Sequence, residues 1–105
     1  VTDARLEVER AEDAGSPVII RIKGEIDLSN SDELEASVRR EGAGVDVALD
    51  LSEVAFMDSS AVAMIVQVRS DALAHGHTLV VRNPSERARR LLELVALDFL
   101  IEDGA

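Results

Sequence analysis

The segment from Val45 to Ala74 constrains the fold more than any other part of the chain. Val45–Leu51 is an almost unbroken apolar run, rich in β-branched residues and interrupted only by Asp46 and Asp50. Its length and composition read as a strand covered on both faces or lying at a sheet centre. From about Ser60 to Ala74 apolar residues recur at helical spacing, and His75-Gly76-His77 stops the pattern. Asp58, Ser59 and Ser60 lie in the turn between. A helix starting there aims its unpaired N–H groups and the positive end of its dipole at these side chains. Two uses of the turn follow. Asp58 or Ser59 caps the helix, or a serine carries a modification whose negative charge the helix start receives.

The remaining segments arrange themselves around this unit. Leu6–Arg10 alternates apolar and polar residues, and Val18–Ile22 is rich in Ile and Val, with Gly15 and Pro17 in the polar turn between them. That spacing predicts an antiparallel hairpin. Residues up to Arg5 are expected to be a loose end, and Gly24–Asn30 a loop. A first helix begins with Asn30 or Ser31 as cap, carries Asp32 and Glu33 in its first turn, and ends at Gly42 and Gly44. Thr78–Val81 reads as a fourth strand. Asn83-Pro84 opens a third helix, with Pro84 at its first position and Leu91, Leu92, Leu94 and Val95 on its buried side. Phe99–Ile101 forms a short last strand, and Glu102–Ala105 a tail. The order predicts an α/β fold: a small mixed sheet, made of an N-terminal hairpin and then parallel βαβ units, with helices packed against it. Loops at the carboxyl ends of parallel strands are the usual functional edge. Asp27 and Ser59 would share that edge.

Composition removes several classes of function. The 105 residues carry a net charge of −10, which repels nucleic acid and anionic headgroups and suits a basic partner surface. With two Phe, no Tyr and no Trp, the aromatic platforms of single-strand binders are missing. Nucleic acid is not expected as a partner. The chain has no cysteine, so neither a disulfide nor a Cys-based zinc site is available. No apolar run spans a membrane, and no signal peptide opens the sequence. Residues 1–105 are expected to form one cytoplasmic domain that does not insert in membranes.

Few residues offer catalysis. No Gly-x-Ser-x-Gly elbow surrounds Ser59, and His75 and His77 lie about 24 Å away at the far end of the second helix, too far to serve it as a base. Asp27, Asp50 and Asp58 read as caps and loop acids, with a magnesium cluster as the alternative. Arg87, Arg89 and Arg90 form a solvated basic cluster without assigned function. The second helix is apolar on two sides. Val62, Ile65, Val66, Arg69 and Leu73 trace one stripe, and Ala61, Met64, Val68 and Ala72 another. Either both are core or the second contacts a partner.

The stretch Asp50-Leu51-Ser52-Glu53-Val54-Ala55-Phe56-Met57-Asp58-Ser59-Ser60 resembles the signature of the STAS domain, the fold of bacterial anti-sigma-factor antagonists. Gly24-Glu25-Ile26-Asp27 resembles that family's Gly-Glu-Leu-Asp entrance to its first helix. The likeness of layout runs from roughly Leu6 to Glu102, the expected core of the domain. The resemblance implies a regulatory protein that is not an enzyme and needs no cofactor. Its partner would be an anti-sigma factor with serine kinase activity, whose ATP and magnesium phosphorylate Ser59; a serine phosphatase would reverse the step. Asp27, Asp58, Ser60, Ala61, Met64 and Val68 would contact that partner. Where the family continues with Gly, often Gly-Leu-Gly, this chain has Ala61-Val62-Ala63. Two added methyl groups there favour an alternative: a STAS interaction subunit of a lipid-transport or other membrane-associated complex, without phosphorylation. A small-ligand or nucleotide sensor is the remaining alternative.

Overall fold

A computed structural model describes residues 3–11, 13 and 15–102. The expected loose start at Val1 and Thr2, the tail from Asp103, and Glu12 and Ala14 of the first turn lie outside the described residues. Strands β1 (Ala4–Glu9), β2 (Val18–Ile26), β3 (Val47–Met57) and β4 (Leu79–Arg82) form one sheet in that order, with helices α1 (Ser31–Glu41), α2 (Ser59–Ala74) and α3 (Glu86–Leu94) between and after them. β1 and β2 are antiparallel; β3 is parallel to both β2 and β4. The mixed α/β architecture is the expected one.

Several boundaries differ for local physical reasons. β1 begins at Ala4, two residues before the expected strand and within the expected loose end. β2 runs through Gly24 to Ile26 rather than stopping at Ile22. Gly24 has φ +101°, and a Cβ there would stand 2.2 Å from the Asp3 carbonyl oxygen. The glycine therefore permits a close approach of β1 inside a strand. β3 continues six residues past Leu51, to Met57. Its register against β2 slips twice, each time with one extra residue on β3. The first of these bulges leaves Ser52 and Glu53 both outward and so hides the alternation of a strand. Pro84 precedes α3 instead of starting it. The cap is Ser85, whose hydroxyl accepts from the Ala88 N–H at 3.2 Å and donates to the Val54 carbonyl at 2.7 Å. The expected last strand is a 3-10 turn over Asp98–Leu100, and only Ile101 bridges to Val81.

The core joins Ile20, Ile22 and Ile26 of β2, Leu49, Leu51 and Val54 of β3, Leu34 and Val38 of α1, Met64 and Ile65 of α2, and Leu92 of α3. At Ala61, Met64 and Val68 the expected partner contact is not available. They are 0%, 2% and 6% exposed and pack into this core. An α2 with apolar residues on two sides gives little direction in its sequence, and the sheet takes the face of Ala61, Met64, Ile65 and Val68. The large apolar residues of α2 left outward are Val66 and Leu73.

Candidate functional site

Parallel pairing brings the carboxyl ends of β2 and β3 to one edge. Ile26 lies opposite Met57, and the Asp58 N–H reaches the Ile26 carbonyl at 3.3 Å. The next residues, Asp27 and Asp58, therefore leave the sheet side by side and begin the turns into α1 and α2. Asp27 organises its own turn. One carboxylate oxygen, Oδ1, accepts from the Ser29 N–H at 2.9 Å and the Ser29 hydroxyl at 2.6 Å. Its carbonyl accepts from the Ser31 N–H at 2.9 Å. Asn30 holds this loop, with Oδ1 accepting from the Asp27 N–H and Nδ2 donating to the Glu25 carbonyl. It occupies the cap position of α1, but its side chain makes no capping bond. Leu28, at the tip, is 82% exposed.

At the start of α2 the same bonding recurs. Asp58 is the cap, and its Oδ1 accepts from the Ser60 N–H at 2.9 Å and from the Ser60 hydroxyl. Ser59, between them, is exposed as the first residue of the helix. The two adjacent serines, equivalent in sequence, are thereby made different: one hydroxyl is engaged by a carboxylate and half-buried, the other faces solvent at the positive end of α2. Ala61 turns its methyl into the core, while Ala63 lies on the exposed face with Ser59 and Val66. Of the methyls of Ala61 and Ala63, only that of Ala63 reaches the surface.

Asp50 belongs elsewhere. Its Oδ1 takes the Ser52 N–H at 2.9 Å and hydroxyl at 2.6 Å, and its Oδ2 faces Arg21 at 3.5 Å. The Ser52 amide is thus satisfied where the first bulge breaks the ladder. Burial pushes the Asp50 carboxyl up, but the Ser52 hydroxyl and amide, the Asn83 side chain and the Arg21 charge together outweigh it, and the group is held below the usual carboxylate range. Asp27, Asp50 and Asp58 do not gather. Among the described residues no cluster of three or more His, Cys, Asp or Glu could hold a metal, so the magnesium alternative has no site there. His75 and His77 lie past the other end of α2. In the basic cluster, Arg87 stacks over Phe56 at 5.4 Å and Arg90 pairs with Glu86 at 3.5 Å. The recurring Asp-x-Ser bonding at 27, 50 and 58 was missed in the sequence; the repeated spacing was its signal, since Asp side chains commonly bond a backbone N–H two residues on.

No helix among the described residues is long and apolar enough to cross a membrane. The fold is similar to that of the anti-sigma factor antagonist SpoIIAA. In its unphosphorylated form the identity is 20% and the TM-score 0.78, over 96% of this chain and 89% of that one. For the phosphorylated Bacillus form the values are 22% and 0.71, over 96% and 92%. An anti-sigma factor antagonist from Mycobacterium paratuberculosis is 23% identical with a TM-score of 0.75, over 96% and 85%. A murine solute carrier 26 anion transporter in its inward-facing state also matches, at 11% identity and TM-score 0.73, over all of this chain and 21% of that one. The same fold thus serves free-standing antagonists and a part of a transporter. Residues 5–103 match the STAS domain, and with nearly its whole length covered the chain belongs to the STAS domain family.

Proposed function

We propose that this protein is an anti-sigma-factor antagonist acting in the cytoplasm. In its unmodified state it binds an anti-sigma factor that is also a serine kinase, and phosphorylation of Ser59 ends the binding. A serine phosphatase restores the binding form. The observation that carries this reading is the unequal state of the two serines: Ser59 is exposed at the helix start, while Ser60 is tied to Asp58. The contact surface comprises Ser59, Ala63 and Val66 on the outward face of α2, with Leu28 and Asp27 on the adjoining loop. It replaces Ala61, Met64 and Val68, which are core.

A phosphate adds about −1.5 to −2 charges. At the first residue of α2 the helix amides tolerate that charge, so the fold persists. Within the interface the added bulk and the desolvation of the phosphate weaken binding. The test is a binding titration against purified anti-sigma kinases from the same genome. Ser59→Ala is expected to bind like the unmodified protein, and Ser59→Asp more weakly. Equal binding by both variants would overturn the switch. Binding to none of the kinases would favour the alternative, an interaction subunit of a membrane-associated complex.

A further inference from the structure

The two edges of the sheet end differently. At the β4 edge Ile101 bridges to Val81, the Glu102 N–H donates to the Val81 carbonyl at 2.7 Å, and the Glu102 carboxylate pairs with Arg82 at 2.7 Å. β1 is the other edge, and among the described residues no strand lies against its outer side. It runs from Ala4 to Glu9 without proline, and its register against β2 is unbroken. Proline and bulges, two devices that keep an edge from pairing, are absent from this strand. The ladder fixes which backbone groups are free. Continuing the register of Ala4 with Gly24, Asp3 stands opposite Glu25, whose N–H donates to the Asp3 carbonyl at 2.9 Å. In an antiparallel pair such bonded positions alternate with unbonded ones. Arg5, Glu7 and Glu9 thus turn their backbone groups toward β2, and Ala4, Leu6 and Val8 turn theirs outward.

The side chains alternate as well. Leu6 and Val8 are half-buried at the margin of the core, and Arg5, Glu7 and Glu9 are exposed on the opposite face. Glu7 is engaged by Lys23 at 3.2 Å and Arg21 at 3.5 Å, and Glu9 by Arg21 at 3.4 Å. Arg5 has no ion pair among the described residues. Arg5 and Glu9 lie equally far to either side of Glu7. An antiparallel second copy centred on Glu7 sets Arg5 of each chain opposite Glu9 of the other, and Leu6 opposite Val8. Leu6 and Val8 carry the outward backbone groups, so they exchange the hydrogen bonds, and their side chains cover one another at the core margin. Arg5 and Glu9 fall at the close, unbonded positions, with Cα atoms about 4.5 Å apart. Like charges meet only at the axis, where each Glu7 already has cations beside it. α1 packs on β2. The helices of the two copies would then stand over strands three spacings, about 14 Å, apart, which exceeds the roughly 8–10 Å between packed helices.

We propose that β1 is a self-association edge: two copies of this chain pair antiparallel through Leu6 and Val8, with Arg5 against Glu9, and join their four-stranded sheets into one. The proposal is independent of the switch at Ser59. A six-residue edge makes a small interface, so sedimentation velocity is followed up to about 1 mM protein. A monomer–dimer equilibrium is expected. Arg5→Glu and Glu9→Arg should each weaken it about tenfold, since two cross-strand attractions become repulsions, and the double variant should recover it. Glu9→Arg is the sharper test, because it reduces the net charge of −10 and would strengthen any association limited by general repulsion. The chain has no cysteine, so Glu7→Cys places one thiol at the axis, about 4.5 Å from its mate and within disulfide reach. Oxidation should cross-link Glu7→Cys but not Glu53→Cys, which is exposed on β3. A monomer throughout would overturn the proposal and leave the edge to an extended segment of another protein. Single variants that associate like the parent, a double variant that does not recover, or Glu53→Cys cross-linking as readily as Glu7→Cys would each overturn it too.

Discussion

Two short segments of this chain make the same local bonds and place their middle residues in opposite surroundings. In Asp50-Leu51-Ser52 the carboxylate takes the Ser52 amide and hydroxyl, and the middle residue, Leu51, is 0% exposed. In Asp58-Ser59-Ser60 the carboxylate takes the Ser60 amide and hydroxyl, and the middle residue, Ser59, faces solvent. The first lies inside a strand, where it satisfies a ladder position opened by a bulge. The second lies where the strand has ended, and it starts a helix. The three-residue pattern fixes the bonds. Whether the backbone goes on as strand or turns into helix decides which way the middle side chain points, and with it whether that side chain is buried or open to solvent.

Substitutions separate the two segments. The largest effect is expected in the helix that the second segment starts, on its inward face: Met64→Asp places a carboxylate in the core at a cost of several kcal/mol, read as loss of a cooperative thermal transition. If Met64→Asp instead melts like the parent, the division of α2 into inward and outward faces is wrong. Next comes Asp50→Ala, about 2–3 kcal/mol, since it strands the Ser52 amide and removes a partner of Arg21. The same group gives a pH signature. Its carboxyl is held below the usual range in the folded state, so its contribution is complete above the unfolded value near 3.8 and is lost as the pH falls through the folded value. Denaturant midpoints measured from neutral to acid pH should therefore fall less steeply in Asp50→Asn than in the parent. Asp58→Ala removes only a helix cap, about 1 kcal/mol. An effect equal to that of Asp50→Ala would erase the contrast between the segments. Smallest is Ser59→Ala, within about 0.5 kcal/mol in the same denaturation experiment, as for other exposed positions.

The order of elements was legible because Gly15, Pro17, Gly42, Gly44 and Gly76 punctuate it and because strand and helix periods alternate between them. The ends of β2 and β3 were not. Gly24 reads as a turn residue, yet it stands within a strand because β1 passes too close for a side chain. The outward pair Ser52 and Glu53 reads as the end of a strand, yet it is a bulge. At the site, the turn, Asp58 as a possible cap and the shared edge with Asp27 followed from pattern and topology. The outward and inward sides of α2 did not, since a helix with an apolar stripe on each of two sides has no single preferred face until the sheet supplies one. Nor did the inequality of Ser59 and Ser60, which arises from one carboxylate oxygen.

That inequality is open to one direct measurement. The protein is incubated with the anti-sigma kinase proposed as its partner, ATP and magnesium, and the modified residue is located by mass spectrometry in the parent, in Ser59→Ala and in Ser60→Ala. Phosphate is expected on Ser59 in the parent and in Ser60→Ala, and on neither serine in Ser59→Ala. Phosphate on Ser60 with Ser59 unmodified would contradict the assignment, because it would mean that the hydroxyl held by Asp58 is the one the kinase takes.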